Sequence, residues 1–211
     1  MENSAKKTAA FLLQINAIKL QPANPFTWAS GWKSPIYCDN RKTLSFPEVR
    51  SYIRDSFASL VKQLYPEAQL IAGVATGAIA HGALVADKLG LPFIYVRSGA
   101  KEHGLGNQIE GYFERGQKVV VVEDLISTGG SSLGAVKALR EAGCTVQGMV
   151  AIFSYEFSKA SAAFAAENCK LNTLSSYSAL IDEAVKTGYI GQAEVETLKK
   201  WREDPGSWGV F

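Results

Sequence analysis

Two adjacent carboxylates, Glu123 and Asp124, follow four consecutive valines, Val119 to Val122, and precede the run Leu125, Ile126, Ser127, Thr128, Gly129, Gly130, Ser131 and Ser132. The β-branched apolar run predicts a buried strand over 118–123, and the small residues predict a loop feeding a helix N-terminus. Backbone N–H groups at such a terminus lack partners within the helix and attract anions. Gly129 and Gly130 let a ligand approach the backbone closely, and Ser127, Thr128 and Ser131 add hydroxyl donors. The carboxylates stand where they can accept hydrogen bonds from sugar hydroxyls. A site with both parts suits a phosphorylated sugar better than a bare phosphate. An ordinary capped turn with solvated acids is the alternative. The conjunction of valine run, paired acids and glycines argues against it.

A second group is the charged, glycine-bearing loop Arg97, Ser98, Gly99, Ala100, Lys101, Glu102, His103, Gly104, Leu105, Gly106. Its cations suit a leaving group whose negative charge grows as a bond breaks. Its glycines allow closure that excludes water. Taken alone, the same composition also describes a solvated surface loop. The third group runs from Phe26 to Arg41 through Trp28, Ser30, Gly31, Trp32, Lys33, Ser34, Pro35 and Tyr37. It reads as a polar and aromatic hairpin able to cover a flat ring. Trp28 and Trp32 also fit a small packed appendage with its own core.

Two other phosphate motifs are excluded. No Gly-x4-Gly-Lys-Ser/Thr run exists, and Gly104-Leu105-Gly106 has Ile109 where a dinucleotide fingerprint needs its third glycine.

These groups need a frame. Apolar residues at helical spacing predict helices over 4–18, from Pro47 to about Leu64, over 78–89, and over 131–142 with Gly143 closing it. Strands are expected at 70–75, 92–96, 118–123 and 145–153. After Lys159 the pattern reads as mainly helical, with apolar-spaced stretches at 175–186 and 192–202. Such β-α alternation predicts an α/β fold with an open, mainly parallel sheet flanked by helices. Ligands of such sheets bind at the C-terminal ends of the strands, so the loops after 75, 96, 123 and 153 should converge. Residues 1–46 read as an N-terminal helix and β-rich hood, and 47–211 as the core with C-terminal helices. His81 is expected to be a packing or surface residue. Glu110, Glu114 and Arg115 are expected in a solvated turn, and Trp201 and Trp208 should pack helix ends.

The length of 211 residues suits one large α/β domain. With 22 basic and 20 acidic residues, net charge +2, the chain offers no general case for nucleic acid or membrane binding. Cys38, Cys144 and Cys169 are widely spaced, with neither a CxxC pair nor zinc-type spacing, and read as reduced thiols of a cytoplasmic protein. No signal peptide or membrane span is expected.

The block at 119–132 resembles the phosphoribosyl diphosphate motif of the type I phosphoribosyltransferases. That resemblance implies that Glu123 and Asp124 contact the ribose. It also implies that Leu125, Ile126, Ser127, Thr128, Gly129, Gly130 and Ser131 cradle the 5-phosphate. The pattern Arg-x3-Lys-x-His-Gly at 97–104 resembles the catalytic loop of the orotate phosphoribosyltransferases. It implies a lid in which Arg97, Lys101 and His103 meet the diphosphate, reaching into the partner subunit of a homodimer. The run Ser-Gly-x-Lys-Ser-Pro-x-Tyr is similar to that family's hood over orotate, and implies orotate contacts from Lys33, Tyr37 and Ser127. The family's reaction joins orotate to phosphoribosyl diphosphate with Mg2+, held mainly through the diphosphate, in pyrimidine synthesis. On this resemblance Lys101, His103 and Asp124 are the catalytic residues, and no metal ligand is assigned.

The chain departs from many family members at Ser98 and from some at Ala29 and in the lysine-free loop 73–79, differences shared by another subgroup in the case of the lysines, and some relatives carry an arginine for the orotate carboxylate near the position of Tyr155. Backbone N–H groups of the hood or of the 73–79 loop are candidates to meet that carboxylate. A purine or other pyrimidine phosphoribosyltransferase would share the 119–132 block without the hood and lid patterns. A non-enzymatic sensor of phosphoribosyl diphosphate would usually add a nucleic-acid-binding surface.

Overall fold

A computed structural model of the chain describes residues 2–28, 31–97, 99 and 108–208. The helices are α1 (Glu2–Gln14), α2 (Pro47–Leu64), α3 (Ile79–Leu89), α4 (Gly130–Glu141), α5 (Ser158–Ala166), α6 (Tyr177–Lys186) and α7 (Gln192–Glu203). The strands are β1 (Ile18–Leu20), β2 (Phe26–Thr27), β3 (Lys33–Ser34), β4 (Ile36–Cys38), β5 (Leu70–Val74), β6 (Phe93–Val96), β7 (Ile109–Glu110), β8 (Lys118–Ile126), β9 (Thr145–Ser154) and β10 (Leu171–Ser176). A 3-10 turn, Asn40–Ser45, joins β4 to α2.

Six strands form the main sheet in the order β10-β9-β8-β5-β6-β7. All its pairings are parallel except β6 with β7. The chain leaves β5 toward β6 on one side and returns as β8 on the other. Helices therefore diverge at the C-terminal ends of β5 and β8, the place where open α/β sheets bind their ligands.

Side-chain alternation along the strands builds two cores. Ile71, Val120, Val122, Val150 and Ile152 pack with residues of α1, α2, α3, α6 and α7. Leu70, Ala72, Val74, Val119, Val121, Met149 and Ala151 pack with residues of α4 and α5. The period of two sends neighbouring residues to opposite faces.

Four expectations are corrected. The helix predicted over 4–18 ends at Gln14, where Asn16 takes a left-handed φ of 53° and Ile18 starts β1. The strand predicted to stop at Glu123 continues to Ile126, because β9 runs on to Ser154 and keeps pairing with it. The region after Lys159 contains a sixth strand, β10. It is an edge strand pairing only with β9, and of its six residues only Leu174 and Ser175 are buried, so it has little apolar signature. Glu110 lies in β7, with a carboxylate oxygen 3.7 Å from the Arg97 guanidinium.

The hood is two small antiparallel pairings, β1 with β4 and β2 with β3. Its half-buried Trp28 packs against the core, with its indole N–H donating to the Ile36 carbonyl at 3.1 Å. Its ring centroid lies 5.3 Å from Tyr155 and 5.6 Å from Trp201. Trp201 is fully buried near the end of α7, and its indole donates to the Lys33 carbonyl at 3.3 Å. The α1 helix joins the same core, and its Ala5 carbonyl accepts from the Ser175 hydroxyl at 2.9 Å. Among the described residues no helix is long and apolar enough to cross a membrane.

Trp201→Ala would open a cavity beneath both hood and sheet. A loss of about 3–5 kcal/mol in unfolding free energy is expected by chemical denaturation. A loss below about 1 kcal/mol would contradict this packing.

Candidate active site

The alternation that builds the two cores gives the paired acids opposite strand parity, although their carboxyl groups stay within hydrogen-bond reach of each other. Glu123 has the parity of Val119 and Val121 and turns toward α4. Asp124 turns the other way, toward the hood and the β5–α3 loop.

Glu123 is buried. One carboxyl oxygen accepts from the Ser132 hydroxyl at 2.8 Å, and the other accepts from the Asp124 N–H at 2.9 Å. Burial, with the Asp124 charge as the second cause, pushes the Glu123 pKa up to about 8. Asp124 is only half-buried. Its main-chain carbonyl accepts from the Asn40 amide at 2.6 Å. Its carboxylate lies over Gly77, where an added Cβ would stand 2.6 Å from Oδ1. Gly77 therefore leaves the space that Asp124 occupies.

The turn after β8 forms the anion cradle. Gly129 has φ +85° and ends the turn as the helix cap, and a Cβ there would stand 3.0 Å from the Phe164 ring. Both the backbone angle and the contact require glycine. No side chain caps α4, and Leu133 N–H makes a bond to the Gly129 carbonyl at 2.9 Å. The amides of Gly130, Ser131 and Ser132 precede that bond, at the positive end of the helix dipole. Ser127 and Thr128 are half-buried beside them, and Ser131 is exposed.

Arg97 follows β6 directly. Its N–H donates to the Gln108 carbonyl at 2.9 Å and its carbonyl accepts from the Gln108 side chain at 2.7 Å. This pair closes the base of the 97–108 loop. Lys101 and His103 lie outside the described residues, as do Ala29 and Ser30. Lys33 carries its ammonium to the Thr27 hydroxyl at 2.9 Å, and Tyr37 is exposed with its ring 5.6 Å from Phe26. The structure thus brings Asp124 and Ser127–Ser131 together at the ends of β8 and α4, while Lys33 and Tyr37 sit on the hood.

The position near which some relatives have an arginine is engaged otherwise. Tyr155 is buried, 5.4 Å from the Phe157 ring and 5.6 Å from Trp201. The Glu156 carboxylate accepts from the Ser178 N–H at 2.8 Å and hydroxyl at 2.6 Å, and lies 3.4 Å from Arg202.

His81 is buried in α3, and its Nε2 lies 3.2 Å from the Thr43 hydroxyl. Burial lowers its pKa, against the opposing pull of Asp124. Asn40, Gly77 and Ser132 lie within the segments read from sequence but were given no individual role there. Only Ser132 carried a signal, as a hydroxyl at the start of a helix that faces a strand-end acid.

A family model described as a phosphoribosyl transferase domain matches residues 46–186. An orotate phosphoribosyltransferase of Porphyromonas gingivalis is 55% identical over 210 residues, covering 100% of each chain. One from Bacteroides fragilis is 58% identical, covering 99% of this chain and 98% of its own. The chain belongs to the orotate phosphoribosyltransferases. The fold agrees: the solved orotate phosphoribosyltransferase of Aeropyrum pernix superposes with a TM-score of 0.75 at 28% identity, over 87% of this chain and 99% of its own.

The geometry predicts a pH signature. The Glu123 pKa is raised from an ordinary 4.5 to about 8 in the folded protein. The stability this group contributes is therefore full below about pH 4.5 and lost as pH rises through about 8. Glu123→Gln, which mimics the protonated form, should gain stability over the parent protein between about pH 5 and 8. The gain should be of the order of a few kcal/mol in denaturant unfolding. Parallel pH–stability curves for the two proteins would contradict the burial of this carboxyl.

Proposed function

We propose that the crevice transfers the 5-phosphoribosyl group of phosphoribosyl diphosphate to orotate, giving orotidine 5′-phosphate and diphosphate in pyrimidine synthesis. The observation that carries this reading is the placement of Asp124 and the uncapped α4 N-terminus at the topological switch of the sheet. It occurs in a chain similar over its full length to proteins named for this reaction.

In this reading the α4 amides and the hydroxyls of Ser127, Thr128 and Ser131 hold the 5-phosphate. Asp124 accepts from the ribose hydroxyls. Glu123 acts from within, fixing the Asp124 N–H and the first turn of α4 through Ser132. The ring nitrogen of ionised orotate attacks the anomeric carbon as its bond to diphosphate breaks, and the bonding pair leaves with the diphosphate. The carbon passes through a cationic state, so the protein's work is orientation and charge stabilisation. Lys101, His103 and Arg97 meet the departing diphosphate, and lid closure excludes competing water. Lys33, Tyr37 and Ser127 face the orotate.

Mg2+ fits as an ion carried by the donor substrate. Of the paired acids, only half-buried Asp124 offers the crevice a hard oxygen ligand, because the oxygens of Glu123 are turned inward to Ser132 and to the Asp124 N–H. Held there with the donor substrate, the ion would supply positive charge to offset that of the diphosphate. We further propose a cytoplasmic homodimer in which the lid of one subunit serves the site of the other.

Loss of orotate absorbance should require phosphoribosyl diphosphate and Mg2+, with no turnover of uracil or purine bases. Turnover of a purine base in place of orotate would contradict the acceptor assignment. Lys101→Ala should lower kcat by about 100-fold or more with folding intact, and an unchanged kcat would remove the lid from the mechanism. Mixing Lys101→Ala with Asp124→Ala subunits should restore activity, because one of the two sites then combines the intact Asp124 of one chain with the intact Lys101 of the other. No recovery in verified heterodimers would rule out sharing of the lid.

A further inference from the structure

Asn40 stands where three parts of the site meet. It opens the 3-10 turn directly after the hood strand β4, and it is buried. Its amide donates to the Asp124 carbonyl at 2.6 Å. Its side-chain oxygen receives the Cys38 thiol at 3.4 Å. Its own carbonyl accepts from the Thr43 hydroxyl at 2.6 Å. The same hydroxyl lies 3.2 Å from His81 Nε2 on α3. The chain of bonds runs from the hood through Asn40 to β8, and through Thr43 to the helix that follows the Gly77 loop.

Asp124 is thereby held from two sides. Asn40 grips its peptide, and Gly77 lies beneath its carboxylate. A shift of the hood is passed to Asp124 through this amide.

We propose that Asn40 is a positioning residue for the transfer reaction, setting the Asp124 carboxylate against the ribose according to the seating of the hood. This inference rests on the reaction proposed above. The enclosed amide is bonded at its nitrogen to the carbonyl of a ligand-facing acid and at its oxygen to the Cys38 thiol, so removing it leaves polar groups unpaired at both ends and frees the acid's peptide from the hood. A misplacement of about 1 Å at a reacting centre costs about 100-fold in rate.

The test uses full-length protein and the orotate assay, with wild type measured alongside. If wild type consumes no orotate, the functional reading fails. If it does, the variants decide the role of Asn40. Asn40→Ala should lower kcat by about 10- to 100-fold at saturating concentrations of both substrates. The affinity for phosphoribosyl diphosphate alone, by calorimetry, should change less than about threefold, because the phosphate cradle is untouched. A kcat within twofold of wild type overturns the proposal.

Asn40→Asp keeps the size and tests the donor itself, also if Asn40→Ala fails to fold. The titratable and charged groups around it are Cys38 from β4, its chain neighbours Asp39 and Arg41, Asp124 from β8 and His81 from α3. When ionised, the introduced carboxyl cannot donate, and when protonated it donates to the Asp124 carbonyl as the amide does. Its kcat should be lowered by about 10-fold or more at about pH 8.5, where the carboxyl is ionised, and should recover toward wild type as pH falls through the pKa of that carboxyl. A kcat within twofold of wild type at about pH 8.5 overturns the proposal.

Discussion

The hydrogen bond between buried Glu123 and the Ser132 hydroxyl ties the last turn of strand β8 to the first turn of helix α4. The cradle depends on this joint. The turn between them contains Gly129 at φ +85° and no capping side chain, so little within the turn itself fixes its course. Glu123 supplies the missing restraint from the core side. Its other oxygen takes the Asp124 N–H, which orients the next residue outward. A buried carboxyl costs free energy unless it is hydrogen-bonded or protonated. Here it is both bonded and pushed toward the protonated form. A residue that looks like half of a ligand-binding pair is thus in large part the support of the other half.

The second constraint is aromatic. The hood consists of two- and three-residue strands and cannot bury a core of its own. Trp28 instead packs against the main core and meets Tyr155 at the end of β9 and Trp201 of α7. The hood is therefore fixed by the C-terminal helix as well as by the sheet, and its inner edge delivers Asn40 to Asp124. The last helix, far in sequence from the cradle, helps hold the acceptor side of the crevice.

Much of this was legible in the residues themselves. The valine run, the glycines after it and the alternation of β and α patterns placed the sheet and the cradle. The features that were not legible depend on pairing between distant residues. The polar strand β10 exists because β9 offers an edge, not because its own residues are apolar. The strand β8 lengthens past Glu123 for the same reason. The difference between Glu123 and Asp124 was implicit in the period of two, since valines flanking them in register face opposite cores. Adjacency of the two acids concealed it. Asn40 offered no pattern at all, because a single buried amide acquires its role only from a carbonyl 84 residues away. Lys101 and His103 rest on the sequence pattern alone.

The central claim is that the paired acids divide their work, Asp124 toward the ligand and Glu123 toward the helix. Calorimetric titration with phosphoribosyl diphosphate and Mg2+ at neutral pH measures this division most directly. Asp124→Asn is predicted to weaken binding by about tenfold or more, and Glu123→Gln by less than about threefold. Equal losses in the two variants, or a larger loss in Glu123→Gln, would contradict the division.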